Sequence, residues 1–247
     1  MRVIIYVEGP SDKNAMEALL VNLIDKKSEE GVSIEFFPIK GGNNDRGGDA
    51  KKELLLNAPI KAVNILCNNP NSVAIILPDL YPKNKGFPHE TFQELKAGIM
   101  ENFSQALQKK GIQDERLKER FKVFCFKYEM EALILAAESA LQGKLGVTSL
   151  AVTWTIPVED QNHDRPPSKI VEQLFRDSGK GYNKTVDAKL ILRNTSYQEI
   201  TDKCTRFKPF VKFREGIHGK FLAKINVYSS IWAMTKILEY LMRSGLK

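Results

Sequence analysis

The first apolar run of the chain, Val3 to Val7, stops at Glu8-Gly9-Pro10, and a helical pattern starts at once. Similar strand-like runs recur at Val32 to Pro38, Ser72 to Leu77 and Phe121 to Phe126, with helical patterns between Val7 and Val32 and between Leu77 and Phe121. Short Val/Ile/Phe runs alternating with helices predict an α/β fold built on a parallel sheet. The first helix has a start signal in Ser11-Asp12 and an apolar stripe at Met16, Leu19, Leu20 and Leu23. A second stripe, Phe92, Leu95, Ile99, Phe103 and Leu107, keeps helical spacing. Between them the Gly- and Asn-rich stretch Lys40 to Lys52 reads as a mobile loop whose basic residues can track a phosphate, leading into a helix near Glu53 to Leu66. It lacks the Walker spacing of a nucleotide-binding P-loop.

Beyond Glu138 the pattern loosens. Pro157, Pro166 and Pro167 mark an irregular stretch, and short helices are expected at Ser168 to Arg176, Lys184 to Leu192 and Gln198 to Lys203. A final amphipathic helix carries Val227, Ile231, Met234, Leu238 and Leu241. The predicted division is an α/β unit over residues 1–138 and a basic, mainly helical part over 139–247. Charge supports the contrast: residues 163–247 hold 17 Lys and Arg against 8 Asp and Glu, whereas residues 1–162 hold 20 against 22. A segment this basic suits polyphosphate, nucleic acid or acidic lipid.

Other classes fit less well. No apolar run approaches the roughly 20 residues of a membrane span, and acid arrives at Glu8, too early for a secretory leader, so a cytoplasmic protein without a membrane partner is expected. Cys67, Cys125 and Cys204 are scattered without CxxC spacing, which speaks against a disulfide framework or a zinc site. His89, His163 and His218 form no triad or metal spacing.

The acids carry the chemistry. Glu8 ends the first strand and Asp79 the third, and in an open parallel sheet ligands bind outside the carboxyl ends of strands. Two carboxylates brought together repel unless protonated or bridged by a cation, so the pair suits Mg²⁺ (or Mn²⁺). The fourth strand runs into Glu129 and Glu131. If residues 129 to 131 are extended, both face one way; if a helix has begun, they point roughly 200° apart and one reaches the site, the arrangement favoured here.

These residues resemble a known pattern. Glu8-Gly9 before an amphipathic helix, with Asp79 at a later strand end, is similar to TOPRIM, the metal-binding module of topoisomerases, primases and overcoming-lysogenization-defect (OLD) nucleases. In order, VEGPSDKNAMEALL, PDLYPKNKGFP, YEMEALIL, VEDQNHDRPPSKI and CTRFKPFVKF resemble the blocks of a TOPRIM-like bacterial family of domains of unknown function, over about residues 4 to 214. The resemblance implies a Rossmann-like parallel sheet flanked by helices, with the basic C-terminal part folded back on it. One position departs from the general pattern: Asp-x-Asp is replaced by Asp79-Leu80-Tyr81, a phenol neutral near pH 7. The missing oxygen then falls to Glu129, Glu131 or Asp12.

The same blocks offer cations. Lys169 in a helical first turn, Lys184 and Arg206 are candidates for holding the scissile phosphate; Glu159 and Asp160 are candidates for orienting one of these cations or adding a metal ligand, with a surface loop as their default. The resulting expectation is a divalent-metal-dependent nuclease: metal on Glu8, Asp79, Glu129 and Glu131, chemistry at Glu8, Lys169, Lys184 and Arg206, and DNA or RNA as substrate. The resemblance also implies an AAA or ABC-type ATPase partner in an anti-phage defence locus. The alternative is a non-catalytic nucleic-acid-binding or regulatory subunit of such an ATPase; primase-like transfer ranks below both.

Overall fold

The structure is a computed structural model that describes residues 1–39, 49–161 and 164–217. Four parallel strands, β1 (Arg2–Val7), β2 (Ser33–Pro38), β3 (Ser72–Ile76) and β4 (Phe121–Val123), lie in the order β2-β1-β3-β4. This is the parallel sheet flanked by helices expected from the sequence. Side chains alternate across it with the two-residue strand period. Val3, Ile5 and Val7 of β1 point into one core and Ile4 and Tyr6 into the other. A sheet buried on both faces needs strands apolar on both sides, hence the uninterrupted VIIYV.

On the Ile4/Tyr6 face pack α3 (Ala50–Asn68), α4 (Phe92–Lys109) and the short α5 (Arg116–Arg120). The start of α4 is fixed by a capping box: the Glu94 N–H donates to Thr91 Oγ1 at 3.3 Å and the Thr91 N–H to Glu94 Oε2 at 3.1 Å. Its stripe of Leu95, Ile99, Phe103 and Leu107 is buried, and Phe103 stacks on Phe121 of β4 at 4.1 Å between centroids.

The other face carries α1 (Pro10–Leu19), α2 (Val21–Glu29), α6 (Glu131–Ala136) and α7 (Glu138–Leu145), followed by α8 (Pro167–Asp177), α9 (Lys184–Arg193), α10 (Tyr197–Lys203) and α11 (Lys208–Gly216). One core runs from β1 and α1 through α6 and α7 to Phe207, Phe210 and Ile217, so residues on both sides of position 138 share it. The helices at 167, 184 and 197 agree with the expected short helices, whereas α7 and α11 are additions. The Lys40–Asp49 part of the Gly-rich loop lies outside the described residues as far as Gly48, and so do His163, His218 and the helix expected around Val227 to Leu241.

The expected start of the first helix is corrected by two residues. Pro10 occupies the first helical position, where its fixed φ and missing N–H cost nothing, and Gly9 in extended conformation is the cap. Asp12 therefore sits in the third helical position and accepts the Gly9 N–H at 3.0 Å. The fourth strand is also shorter than expected, ending at Val123. Pairing continues beyond it: the Phe124 N–H donates to Ile76 O, Phe126 to Pro78 O and Leu80 to Phe126 O, at 3.1, 3.1 and 2.9 Å. Among the described residues no helix is long and apolar enough to cross a membrane.

Candidate active site

The strand order decides where a ligand can sit. The chain leaves β1 for β2 on one side and returns as β3 on the other, so β1 and β3 flank the switch point, where a crevice opens outside their carboxyl ends. Glu8 follows β1 directly and Asp79 follows β3, and the parallel register pairing Tyr6 with Ile76 brings them together. The Asp79 N–H donates to Glu8 Oε1 at 3.2 Å.

Two further acids close in from the helices above. Asp12 comes from the first turn of α1 and Glu131, buried, from the first residue of α6. Lys184, the first residue of α9, stands between them, its Nζ 3.4 Å from Asp12 Oδ1 and 3.3 Å from Glu131 Oε1. The Tyr182 hydroxyl donates to the same Glu131 oxygen at 3.4 Å, while Glu131 Oε2 is buried without a hydrogen-bond partner among the described residues.

Charge is unbalanced here. Burial and the Asp12 carboxylate push Glu8 up to about 7, against the Asp79 N–H and the charges of Lys51 and Lys184. Burial, Glu8 and Asp12 hold Asp79 well above the ordinary aspartate range, and burial raises Glu131 despite Lys184. Burial acts to lower Lys184, but Glu131, Asp12 and Asp79 together outweigh it and keep it protonated. Four carboxylates thus face one ammonium within the cluster.

Lys51 works from below. It is buried on α3, and its Nζ donates to Leu80 O at 2.7 Å and to Pro82 O at 2.5 Å, fastening the turn that carries Asp79. Its charge also acts on Glu8 and Asp79. The sequence reading treats this lysine as part of a phosphate-tracking loop; its short reach from the first turn of α3 makes it instead a clamp on backbone carbonyls. Tyr182 is the other residue that pattern reading passes over, although it adjoins Lys184 in the motif YNK.

Several predicted site residues lie elsewhere. Glu129 turns away from Glu131, and its Oε2 accepts the Ser168 N–H at 3.0 Å, serving the N-terminus of α8. Lys169 is 62% exposed and pairs with Glu172 one turn along α8, since its position faces out while Ile170 and Val171 face the core. Arg206 is exposed; its N–H donates to Glu159 at 2.8 Å and its charge acts on Cys125. Glu159 is buried and also accepts the Thr205 hydroxyl at 3.2 Å, so it fixes the turn between α10 and α11 rather than a cation. Asp160 pairs with Lys127. The Tyr81 ring stacks on Tyr128 at 4.4 Å between centroids, with Lys83 Nζ 5.1 Å above it.

The family model described as a domain of unknown function, DUF4276, matches residues 7–213. The chain belongs to that family. The match takes in Glu8, Asp12, Asp79, Glu131 and Lys184, so the whole cluster lies within the DUF4276 domain. No curated protein matches the chain. Among solved structures it is similar to the C-terminal region of the Burkholderia pseudomallei OLD protein, with 17% identity, 87% of this chain and 96% of that one covered, and a TM-score of 0.45. The corresponding region of the Xanthomonas campestris pv. campestris OLD protein gives 14% identity, 87% and 98% coverage, and a TM-score of 0.35. Both likenesses are remote.

The donor set can be judged on its own chemistry. Among the described residues no three His, Cys, Asp or Glu side chains form a ready-made metal cage. Mg²⁺ does not require one, because it is commonly held by one or two carboxylates and completes its octahedron with water and substrate oxygens. Hard oxygen donors, raised carboxyl pKa values and the unpartnered Glu131 Oε2 fit such an ion.

Proposed function

We propose that this DUF4276 protein is a divalent-metal-dependent phosphodiesterase acting on nucleic acid. One observation carries the reading: at the β1/β3 switch point Glu8 and Asp79 touch, Asp12 and Glu131 stand over them, and Lys184 is the cation placed between the last two. Glu8 and Asp79 would hold the metal, with Glu131 Oε2 as the next available oxygen. Mg²⁺ or Mn²⁺ so held supplies Lewis-acid stabilisation of the phosphate and a more acidic water.

The chain's own groups do the rest. Lys184, held by its carboxylate neighbours as an ammonium, offers positive charge where the scissile phosphate gains negative charge, and a preorganised charge in a partly dry site counts for more than one in water. Lys51 keeps Asp79 in place without contacting substrate. The basic C-terminal third supports DNA or RNA as substrate class. The sequence blocks support the wider expectation of a cytoplasmic anti-phage system with an ATPase partner.

The alternative, a non-catalytic nucleic-acid-binding or regulatory subunit of the ATPase, draws on Tyr81, whose ring is spent on stacking where the general pattern has a second acid. Both readings meet in one experiment. Purified protein is incubated with Mg²⁺ or Mn²⁺ and single-stranded, duplex and structured DNA and RNA, beside Glu8→Ala and Asp79→Ala. Metal-dependent cleavage lost in both variants is the expected result. Binding without cleavage by the unaltered chain supports the alternative, and cleavage that survives both substitutions places the chemistry elsewhere.

A further inference from the structure

Beside α8 the chain forms a hollow of about 370 Å³, lined by Thr153, Trp154, Thr155, Gln161, Arg165 and Ile170. We propose that this hollow receives a nucleobase of the bound strand, with Trp154 as the stacking surface and Arg165 as the cationic edge. The inference rests on the nucleic-acid reading above and adds where the strand is gripped outside the acids.

The wall is built rather than merely folded over. Residues 151–157 form neither helix nor strand, yet Gln161, buried, pins them: its Oε1 accepts the Thr155 N–H at 3.1 Å, and its Nε2 donates to Thr155 O at 2.7 Å and to Val158 O at 2.8 Å. Both the oxygen and the nitrogen of that amide are engaged inside the protein, so its role is to hold the backbone that follows Trp154. Trp154 itself is partly buried against the main core, which fixes the indole while leaving it to line the hollow. Beside it Ile156 is 79% exposed, far more than any other large aliphatic side chain among the described residues. An exposed aliphatic group two residues along the chain from the indole suits a ligand with apolar faces.

The chemistry of the lining selects the class of ligand. A base presents flat π faces and polar edges, and sequence-tolerant binders meet it with an aromatic ring and an arginine. Arg165 has five N–H donors, of which Gln173 Oε1 engages the Nη2 group at 3.1 Å. The volume lies within the range of small-ligand pockets, about 300–1,000 Å³.

Position links the hollow to the acids. Arg165 and Ile170 flank the first turn of α8, and the Ser168 N–H of that turn is held by Glu129, two residues before Glu131. On the other side Asp160, next to Gln161, pairs with Lys127, two residues before Glu129. The segment 127–131 therefore touches both the hollow's frame and the acid cluster.

The test uses the full chain with Trp232→Phe, which leaves Trp154 as its single tryptophan, in Ca²⁺ buffer with strand integrity checked on a gel. Indole fluorescence is titrated with a short single-stranded DNA or RNA and with an abasic strand of equal length and charge. Expected are saturable quenching by the base-bearing strand and, by anisotropy of fluorescein-labelled strands, which also reads the variants that lack an indole, affinity about 5- to 150-fold weaker for the abasic strand and for Trp154→Ala, the span of one lost base stack. Trp154→Phe should restore binding, and the exposed Arg165→Ala should weaken it with an unchanged melting curve. Equal binding of both strands without quenching overturns the hollow while leaving the nucleic-acid reading standing; no binding of any strand overturns both.

Discussion

At the residue scale, the acids of this chain are placed against their own electrostatic preference. Asp79 meets Glu8, and burial raises both. A carboxyl whose folded pKa is raised destabilises the fold once ionised, at about 1.4 kcal/mol per unit. Asp79→Asn should therefore abolish cleavage and, in metal-free buffer at pH 8, raise the stability of the protein in urea denaturation. Glu131→Gln should follow it in losing activity, since its Oε2 is the buried oxygen without a partner. If both variants lose activity and stability together, the acids are structural supports and the proposed division between function and stability is wrong.

At the scale of elements, two buried cations behave oppositely. Lys51 on α3 satisfies two carbonyls of the turn after β3; Arg214 on α11 is wholly buried with its guanidinium unbonded among the described residues, resting over the rings of Phe210 at 4.5 Å and Phe36 at 5.6 Å. Lys51→Met leaves buried carbonyls without donors and should cost about 2–4 kcal/mol, with a parallel fall in apparent metal affinity. Arg214→Met replaces a charge that burial already drags down to about 9, and should be neutral or stabilising in the same denaturation experiment. The helix carrying Arg214 also shows why pattern reading missed it. Phe207, Phe210, Val211 and Arg214 follow the i, i+3, i+4, i+7 stripe, but an arginine at the last place makes the apolar signal stop after one turn. The strands, α4 and the helix at 184 were legible because periodicity and local caps determine them. Glu8 and Asp79 were legible for a related reason, as strand ends in a parallel sheet share a level. Lys51, Tyr182 and the turning away of Glu129 depend on which helix packs over which strand, and no local spacing encodes that.

At the scale of the molecule, stability and pH are coupled through the cluster. Glu8 has its folded pKa raised from 4.5 to about 7, so the stability it contributes is fully present below pH 4.5 and is lost as pH rises through 7; Asp79 has the same sign. Lys184, raised, keeps its contribution at every pH below 10.5 and does not alter this window. Without metal the protein should therefore lose on the order of 2–3 kcal/mol between pH 5 and pH 8 from Glu8 alone. Mg²⁺ should restore stability at pH 8 and change little at pH 5, where the carboxyls are protonated, a contrast read by melting at both pH values. A pH-independent shift with Mg²⁺ would place the ion away from these acids.

The lysine between Asp12 and Glu131 has one more consequence. It is delivered by α9, which packs closely on α1, so the counterion of the acid cluster is covalently part of the chain. A chelator would strip the proposed metal from this cluster but not that charge. Removing the metal should silence the protein while leaving its fold intact, so that adding the ion back restores activity at the speed of ion binding rather than of refolding.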